Sequence, residues 1–262
     1  MIVTGASRGI GRAIAERLLA EGHDVIGLAR SFANPRTHLQ VDGGGTFQAI
    51  DIDLESGRDL PKKLEAIRSE VGDVDTLVFA AGRGEFGHLE QFSYESIRSL
   101  VELNFLSAAI ATRAFLPTLK KQGQGDVIFI GSEAALAGKR KGSVYCASKF
   151  ALRGFAQALR EECATSGVRV TIIEPGPVKT GFFDELDFEP GDAEENYLRP
   201  EDVADAVALV VDAPSGTVYD EIVMSPLKRV LKFRKTGGET GLRRIEHKET
   251  KETKVGRKDR EK

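Results

Sequence analysis

The first 22 residues constrain this chain more than any other stretch. Met1-Ile2-Val3 is a short apolar run, and Thr4-Gly5-Ala6-Ser7-Arg8-Gly9-Ile10-Gly11 follows at once. Ile10, Ala13, Ile14, Ala15, Leu18 and Leu19 then recur at helical spacing as far as Gly22. The order is strand, glycine-rich turn, helix. Glycine accepts the backbone angles of a tight turn, and its missing side chain lets peptide N–H groups approach a phosphate at the positive end of a helix. The spacing is Gly-x-x-x-Gly-x-Gly, not the Gly-x-Gly-x-x-Gly of the common dinucleotide fingerprint. Taken alone it fits any tight strand-to-helix turn. Between a strand and a helix it reads as a nucleotide-binding turn.

Strands and helices alternate from there on. Val25–Ala29 is a second apolar run, ending at Arg30. An acidic residue there would bind the free 2′-hydroxyl of an NAD ribose. Arg30 stands in its place, with Arg8 in the glycine turn, and two guanidinium groups suit a 2′-phosphate. Turn signals at Asn34-Pro35 and at 42–45 leave room for only a short helix before a third strand at 47–52. Further strands are expected at 74–80, 127–130, 168–173 and 217–224, and helices at 60–71, 94–121, 144–165 and 200–211. This alternation predicts an α/β fold: a single-domain, doubly wound parallel sheet of Rossmann type. Ligands of such sheets bind beyond the carboxyl ends of the strands. The glycine turn, Arg30, Ser132 and Thr180 all follow such ends.

Tyr145 and Lys149 lie four apart in the 144–165 helix, one turn above each other, with Cβ atoms roughly 6 Å apart. A free phenol, with a pKa of about 10, is a poor base at neutral pH. An ammonium within ~4–6 Å lowers that pKa, and a phenol so tuned exchanges a proton with an alcohol or carbonyl oxygen. Ser132 ends the buried run at 127–131, where its hydroxyl is placed to hold the same oxygen. Asn104 falls in the middle of a long helix, where asparagine is unfavourable by about half a kcal/mol.

Composition narrows the alternatives. A chain of 262 residues, 41% hydrophobic, buries a core without disulfides. Cys146 and Cys163 share one helix at a separation of roughly 25 Å, which excludes a bond between them. His23, His38, His88 and His247 lack metal-ligand spacing, and Asp51 and Asp53 have no third ligand, so no metal is expected. With no leader-like segment and no apolar run near ~18 residues, a soluble cytoplasmic protein without a membrane span is expected. Residues 228–262 hold 14 Lys+Arg against 6 Asp+Glu, a net of +8, and the rest of the chain carries −11.

Together these features resemble the short-chain dehydrogenase/reductase family over roughly residues 1–226. Thr4-Gly5-x-x-x-Gly9-x-Gly11 is similar to its cofactor turn. Asn104, Ser132, Tyr145 and Lys149 match its catalytic tetrad, and Pro175-Gly176-x-Val178-x-Thr180 matches the segment that holds the nicotinamide amide. The resemblance implies an NADP(H)-dependent oxidoreductase that moves a hydride between the cofactor and a carbonyl or secondary alcohol. Tyr145 would be the general acid/base. Lys149 would bind the nicotinamide ribose and lower the Tyr145 pKa. Ser132 would hold the substrate oxygen, and Asn104 would anchor a relay water. Cofactor contacts would come from Gly5, Ser7, Arg8, Gly9, Ile10, Gly11, Arg30, Ala81, Gly82, Tyr145, Lys149, Pro175, Gly176, Val178 and Thr180. Asp53-Leu54 is the matching pair for adenine, with Asp51-Ile52 as the other candidate. A homo-oligomer, dimer or tetramer, is also implied.

Three positions depart from the family pattern. Phe79-Ala80-Ala81-Gly82 stands where the family has Asn-Asn-Ala-Gly, Glu174 replaces a common Asn, and the last strand ends Val223-Met224-Ser225-Pro226 without Asp-Gly-Gly. The last departure weakens a fatty-acid-synthesis reading and any tetramer inferred from it. Two other classes were weighed. A cofactor-sensing regulatory protein would not need the tuned phenol. A sugar-nucleotide epimerase would show Gly-x-x-Gly-x-x-Gly and a larger C-terminal domain.

The expected domain plan is a body at 1–227, with a substrate lid at 181–199, and a basic low-complexity tail at 228–262. The lid holds Phe182, Phe183, Leu186, Phe188 and Tyr197 with seven acidic and no basic residues across 181–198, whereas the facing 134–142 segment carries Lys139-Arg140-Lys141. An apolar carbonyl or secondary alcohol is the expected substrate. The tail reads as disordered, with an anionic surface as its candidate partner.

Overall fold

The structure is a computed structural model. It describes residues 1–32 and 44–234, and the backbone of 240–244. In chain order the strands are β1 (Ile2–Thr4), β2 (Val25–Ala29), β3 (Phe47–Asp51), β4 (Thr76–Phe79), β5 (Gly125–Ile130), β6 (Val168–Pro175), β7 (Phe188–Pro190), β8 (Glu221–Met224), β9 (Val230–Arg234) and β10 (Thr240–Arg244). The helices are α1 (Gly9–Ala20), α2 (Leu60–Val71), α3 (Tyr94–Val101), α4 (Ser107–Gln122), α5 (Ser143–Cys163) and α6 (Pro200–Val211). Seven strands pair in parallel in the order β3-β2-β1-β4-β5-β6-β8. The strand order reverses between β1 and β4, which puts the ligand crevice of such a sheet beside the glycine turn.

The central strands β1, β4 and β5 are buried on both faces, so they read as apolar runs. Along β4 and β5, Leu77, Phe79, Val127 and Phe129 face α2, α4 and α5, while Val78, Ile128 and Ile130 face α1 and α6. Phe79 and Phe129 stack with centroids 5.2 Å apart. The expected short helix between β2 and β3 falls on 33–43, outside the described residues.

The 94–122 stretch is one continuous helical rod, and by length and apolarity it would suffice to cross a membrane. Here it serves as a core helix, with Leu100, Ala111, Phe115 and Leu119 buried inside the body. Its middle, Glu102–Leu106, is a π-helical turn. Asn104 sits in that turn, so the poor helix former marks a local change of winding of the kind that accompanies functional sites.

The chain's end differs from the sequence expectation. The body was expected to stop at 227, yet β9 pairs antiparallel with β7 of the lid, and β10 pairs with β9. The acidic lid and the first part of the basic tail meet here. Lys232 pairs with Asp192, Arg234 lies 3.2 Å from Glu189, and Lys228 pairs with Glu195. Each such exposed pair contributes no more than about 1 kcal/mol. Together they fix which segment β9 joins. For 228–234 the anionic partner is thus this chain's own lid. Residues 235–239 and 245–262 lie outside the described ones.

Candidate active site

Strand β1 ends in Thr4, whose hydroxyl accepts from the N–H groups of Ala80 (3.1 Å) and Ala81 (3.2 Å). That clamp ties the glycine turn to the end of β4. Gly5 and Gly9 have φ of +72° and +57°, where a side chain would be strained. A Cβ on Gly11 would run into the Gly5 carbonyl oxygen, so α1 can start this close to β1 only with glycine there. Gly9 faces Thr180, 3.6 Å from where its Cβ would lie. The turn and the segment after β6 therefore meet across the crevice.

Ser132 caps the short turn after β5, accepting from the Ala134 N–H at 3.2 Å. Helix α5 brings Tyr145 and Lys149 against it. Both are 6% exposed. The Ser132 hydroxyl faces the Tyr145 phenol and acts to lower its pKa. Lys149 Nζ donates to the Ile130 carbonyl at 3.0 Å, which anchors the ammonium at the end of β5. Asn104 braces the opposite wall: its Oδ1 accepts from Arg83 N–H at 2.9 Å, and its Nδ2 donates to Arg83 C=O at 3.0 Å and to Ser148 Oγ at 3.1 Å. Ser148 in turn donates to the Tyr145 carbonyl at 2.7 Å. Asn104 is thus tied through Ser148 to the Tyr145 backbone, while Ile130 holds Lys149 separately.

Electrostatics depart from expectation in one respect. Lys149 was expected to lower the Tyr145 pKa. Instead burial pushes the phenol up to about 12, with Cys146, Glu174 and Glu133 pushing the same way and Ser132 opposing. Burial also brings Lys149 down to about 8, with Glu174 opposing. Desolvation thus outweighs the neighbouring charges, and Tyr145 holds its proton at neutral pH.

Glu174 was noted in the sequence only as a departure, and it proves central. It is fully buried on β6, beneath Gly131 and Ser132, and accepts from the Ser132 N–H. Burial pushes its carboxyl up to about 7, while the Ser132 N–H and Lys149 pull it down. The sequence signal was a charged residue inside the apolar run 168–175.

A cavity of about 830 Å³ opens beside Tyr145, within the range of small-molecule and cofactor sites. Of the residues singled out in the sequence, Ile10, Gly82, Ser132, Tyr145, Lys149, Pro175, Gly176, Val178 and Thr180 line it. Asn104 lies just behind Gly82, 3.1 Å from where its Cβ would be. Gly5, Ser7, Arg8, Gly9, Gly11, Arg30, Asp53, Leu54 and Ala81 do not line it. Gly5 N–H bonds the Leu28 carbonyl and Ile52 N–H the Ala29 carbonyl, both at 2.7 Å, which ties the glycine turn and the end of β3 to β2. Arg8 and Arg30 are exposed. Leu54 is buried in the core, so only its backbone can face a ligand.

The two oppositely charged segments at the mouth meet in one ion pair, Lys141 to Asp187 at 3.2 Å. Sequence reading missed Phe86 and, from the tail, Leu231 and Phe233, all of which line the cavity. The alternation Leu231-Lys232-Phe233-Arg234 was the available signal for the last two.

Comparison with known proteins agrees with this geometry. A family model described as "short chain dehydrogenase" matches residues 1–190. A sepiapterin reductase of Chlorobaculum tepidum is 31% identical, the match covering 86% of this chain and 95% of that protein. A human 3-oxoacyl-[acyl-carrier-protein] reductase is 30% identical, covering 87% and 98%. Among solved structures, an alcohol dehydrogenase from Thermococcus sibiricus complexed with 5-hydroxy-NADP superposes with a TM-score of 0.75 at 30% identity, covering 85% of this chain and 94% of that one. A metagenomic short-chain oxidoreductase in complex with NADP gives 0.72 at 29% identity, covering 86% and 95%. With its glycine crevice, its Ser132–Tyr145–Lys149 set and a parallel sheet that superposes on those of known oxidoreductases, the chain belongs to the short-chain dehydrogenase/reductase family.

Proposed function

We propose that this chain is an NADP(H)-dependent oxidoreductase that interconverts a carbonyl and a secondary alcohol, with Tyr145 as general acid/base. The observation that carries the reading is that Ser132, Tyr145 and, one turn on, Lys149 line a single cavity whose other wall is the Thr180 segment. The residues present fit a dinucleotide. Gly9, at positive φ, opens the N-terminus of α1 to a pyrophosphate, and no side chain intrudes above it except the small Thr180. A bound nicotinamide supplies the hydride.

The protein's own part is binding, orientation and proton movement. Ser132 Oγ holds the substrate oxygen beside the Tyr145 hydroxyl. A phenol with a pKa near 12 is protonated at neutral pH, the form needed to donate to an oxygen gaining negative charge. Lys149 binds the ribose hydroxyls and, when charged, stabilises the phenolate left behind. Arg8 and Arg30 receive the 2′-phosphate, and NADP complexes among the structural neighbours support that choice. The test is a panel of ketones and aldehydes followed by loss of NADPH absorbance. Turnover of any member supports the reading, and NADPH binding without turnover across a broad panel contradicts it.

A further inference from the structure

Around Tyr145 the aromatic side chains close into a ring. Phe86 and Tyr145 have centroids 5.0 Å apart, Tyr145 and Phe182 5.9 Å, Phe182 and Phe183 5.1 Å, Phe183 and Phe188 5.9 Å, and Phe188 and Phe86 5.0 Å. The reacting phenol is itself a member of this ring. Phe233 of β9 extends it, 6.1 Å from Phe188.

The pairing register explains why. Phe233 lies opposite Phe188 and Leu231 opposite Pro190, so Leu231 and Phe233 share the face of the small sheet that looks into the cavity. Lys232 and Arg234 alternate to the other face, where they meet Asp192 and Glu189. The strand therefore presents apolar side chains to the cavity and spends its charge on the lid. Strand β9 lies beyond the family-wide match, which ends at residue 190.

We propose that β9 is the specificity wall of this enzyme, with Leu231 and Phe233 selecting a bulky carbonyl compound that carries an aromatic or fused ring over a short aliphatic one. The inference rests on the oxidoreductase reading for its chemistry. A flat apolar ring system matches offset and edge-on packing against the surrounding phenylalanines, while its carbonyl reaches Tyr145 and Ser132. A small ketone held at Tyr145 would leave Leu231 and Phe233 on the cavity wall without a partner.

The test compares α-tetralone with 2-butanone as substrates for the full chain with NADPH, and for Phe233→Ala and Leu231→Ala. The parent should prefer tetralone in kcat/KM, and each variant should reduce that preference roughly tenfold or more, chiefly through KM. Phe233→Leu, which keeps an apolar side chain on the strand, should fall between and replaces the alanine variant if that one does not fold. Calorimetric binding of tetralone in the presence of NADP⁺, which cannot reduce it, gives a readout independent of turnover. Tetralone binding that weakens in the variants while no ketone is turned over supports the wall and removes the oxidoreductase reading. An unchanged preference in all variants, or no tetralone binding by the parent, overturns the wall.

Discussion

At the scale of single residues, the tetrad was legible because its chemistry is written in spacing: thirteen steps from Ser132 to Tyr145, four more to Lys149. What the spacing could not show was environment. The expected lowering of Tyr145 rested on a Lys149 ammonium within ~4–6 Å, whereas both groups are desolvated and burial decides the sign. Glu174 carries a testable consequence of the same burial. Its folded pKa of about 7 lies above the ordinary 4.5, so the folded state holds the proton more tightly, and stability falls as pH rises from ~4.5 to ~7. The loss is on the order of 3 kcal/mol. Lys149, with its folded pKa lowered to about 8, acts in a different window: its penalty is present below pH 8 and is relieved between 8 and 10.5. Glu174→Gln should therefore flatten the stability curve between pH 5 and 7.5 in urea titrations, and an unaltered slope would show that Glu174 does not titrate there. A second residue-scale prediction concerns the cofactor. Arg30→Asp sets a carboxylate against the 2′-phosphate and should erase or reverse a preference for NADPH over NADH measured by fluorescence titration. Equal affinity for both cofactors in the parent protein would show that Arg30 and Arg8 have no such role.

Among the elements, the parallel strands and their helices could be read closely, and α6 begins and ends where expected. The central strands are covered on both faces, so they announced themselves as apolar runs. Strand β9 did not. Its apolar residues alternate with cations inside a segment dominated by charge, and its partner β7 lies some forty residues earlier in an acidic lid. Only the folded chain shows that the two charge biases cancel against each other. The π turn at Asn104 gave a signal, an asparagine in mid-helix, whose meaning emerges from its three hydrogen bonds to Arg83 and Ser148. Asn104→Ala leaves buried polar groups of the 83 loop unpaired, which costs about 1–3 kcal/mol. The expected outcome is a fall in thermal midpoint of roughly 2–4 °C for each of those kcal/mol. A variant as stable as its parent would mean that the loop is held by Arg83 through its bond to Glu55 (2.9 Å) instead.

For the molecule as a whole, the body and the lid form one unit closed by the tail's first strand, and nine large apolar side chains are exposed among the described residues. Leu106 and Phe150, 41% and 43% exposed, stand on the rod of α3 and α4 and on α5. We propose that these helices pack against a second copy. Light scattering after size exclusion should then give two or four times 28.4 kDa, and a monomer mass at all concentrations would remove the proposal.

The central claim is that Tyr145 passes the proton while the rest of the site binds. Tyr145→Phe removes one oxygen and keeps the ring in its aromatic surroundings, so folding and NADPH affinity should change little. The decisive measurement is kcat of this variant on a carbonyl that the parent reduces, beside its NADPH affinity. A fall of at least about two orders of magnitude with affinity held within a few-fold is the predicted result. Turnover at the parent rate would contradict the mechanism and leave the crevice as a cofactor-binding site without this chemistry.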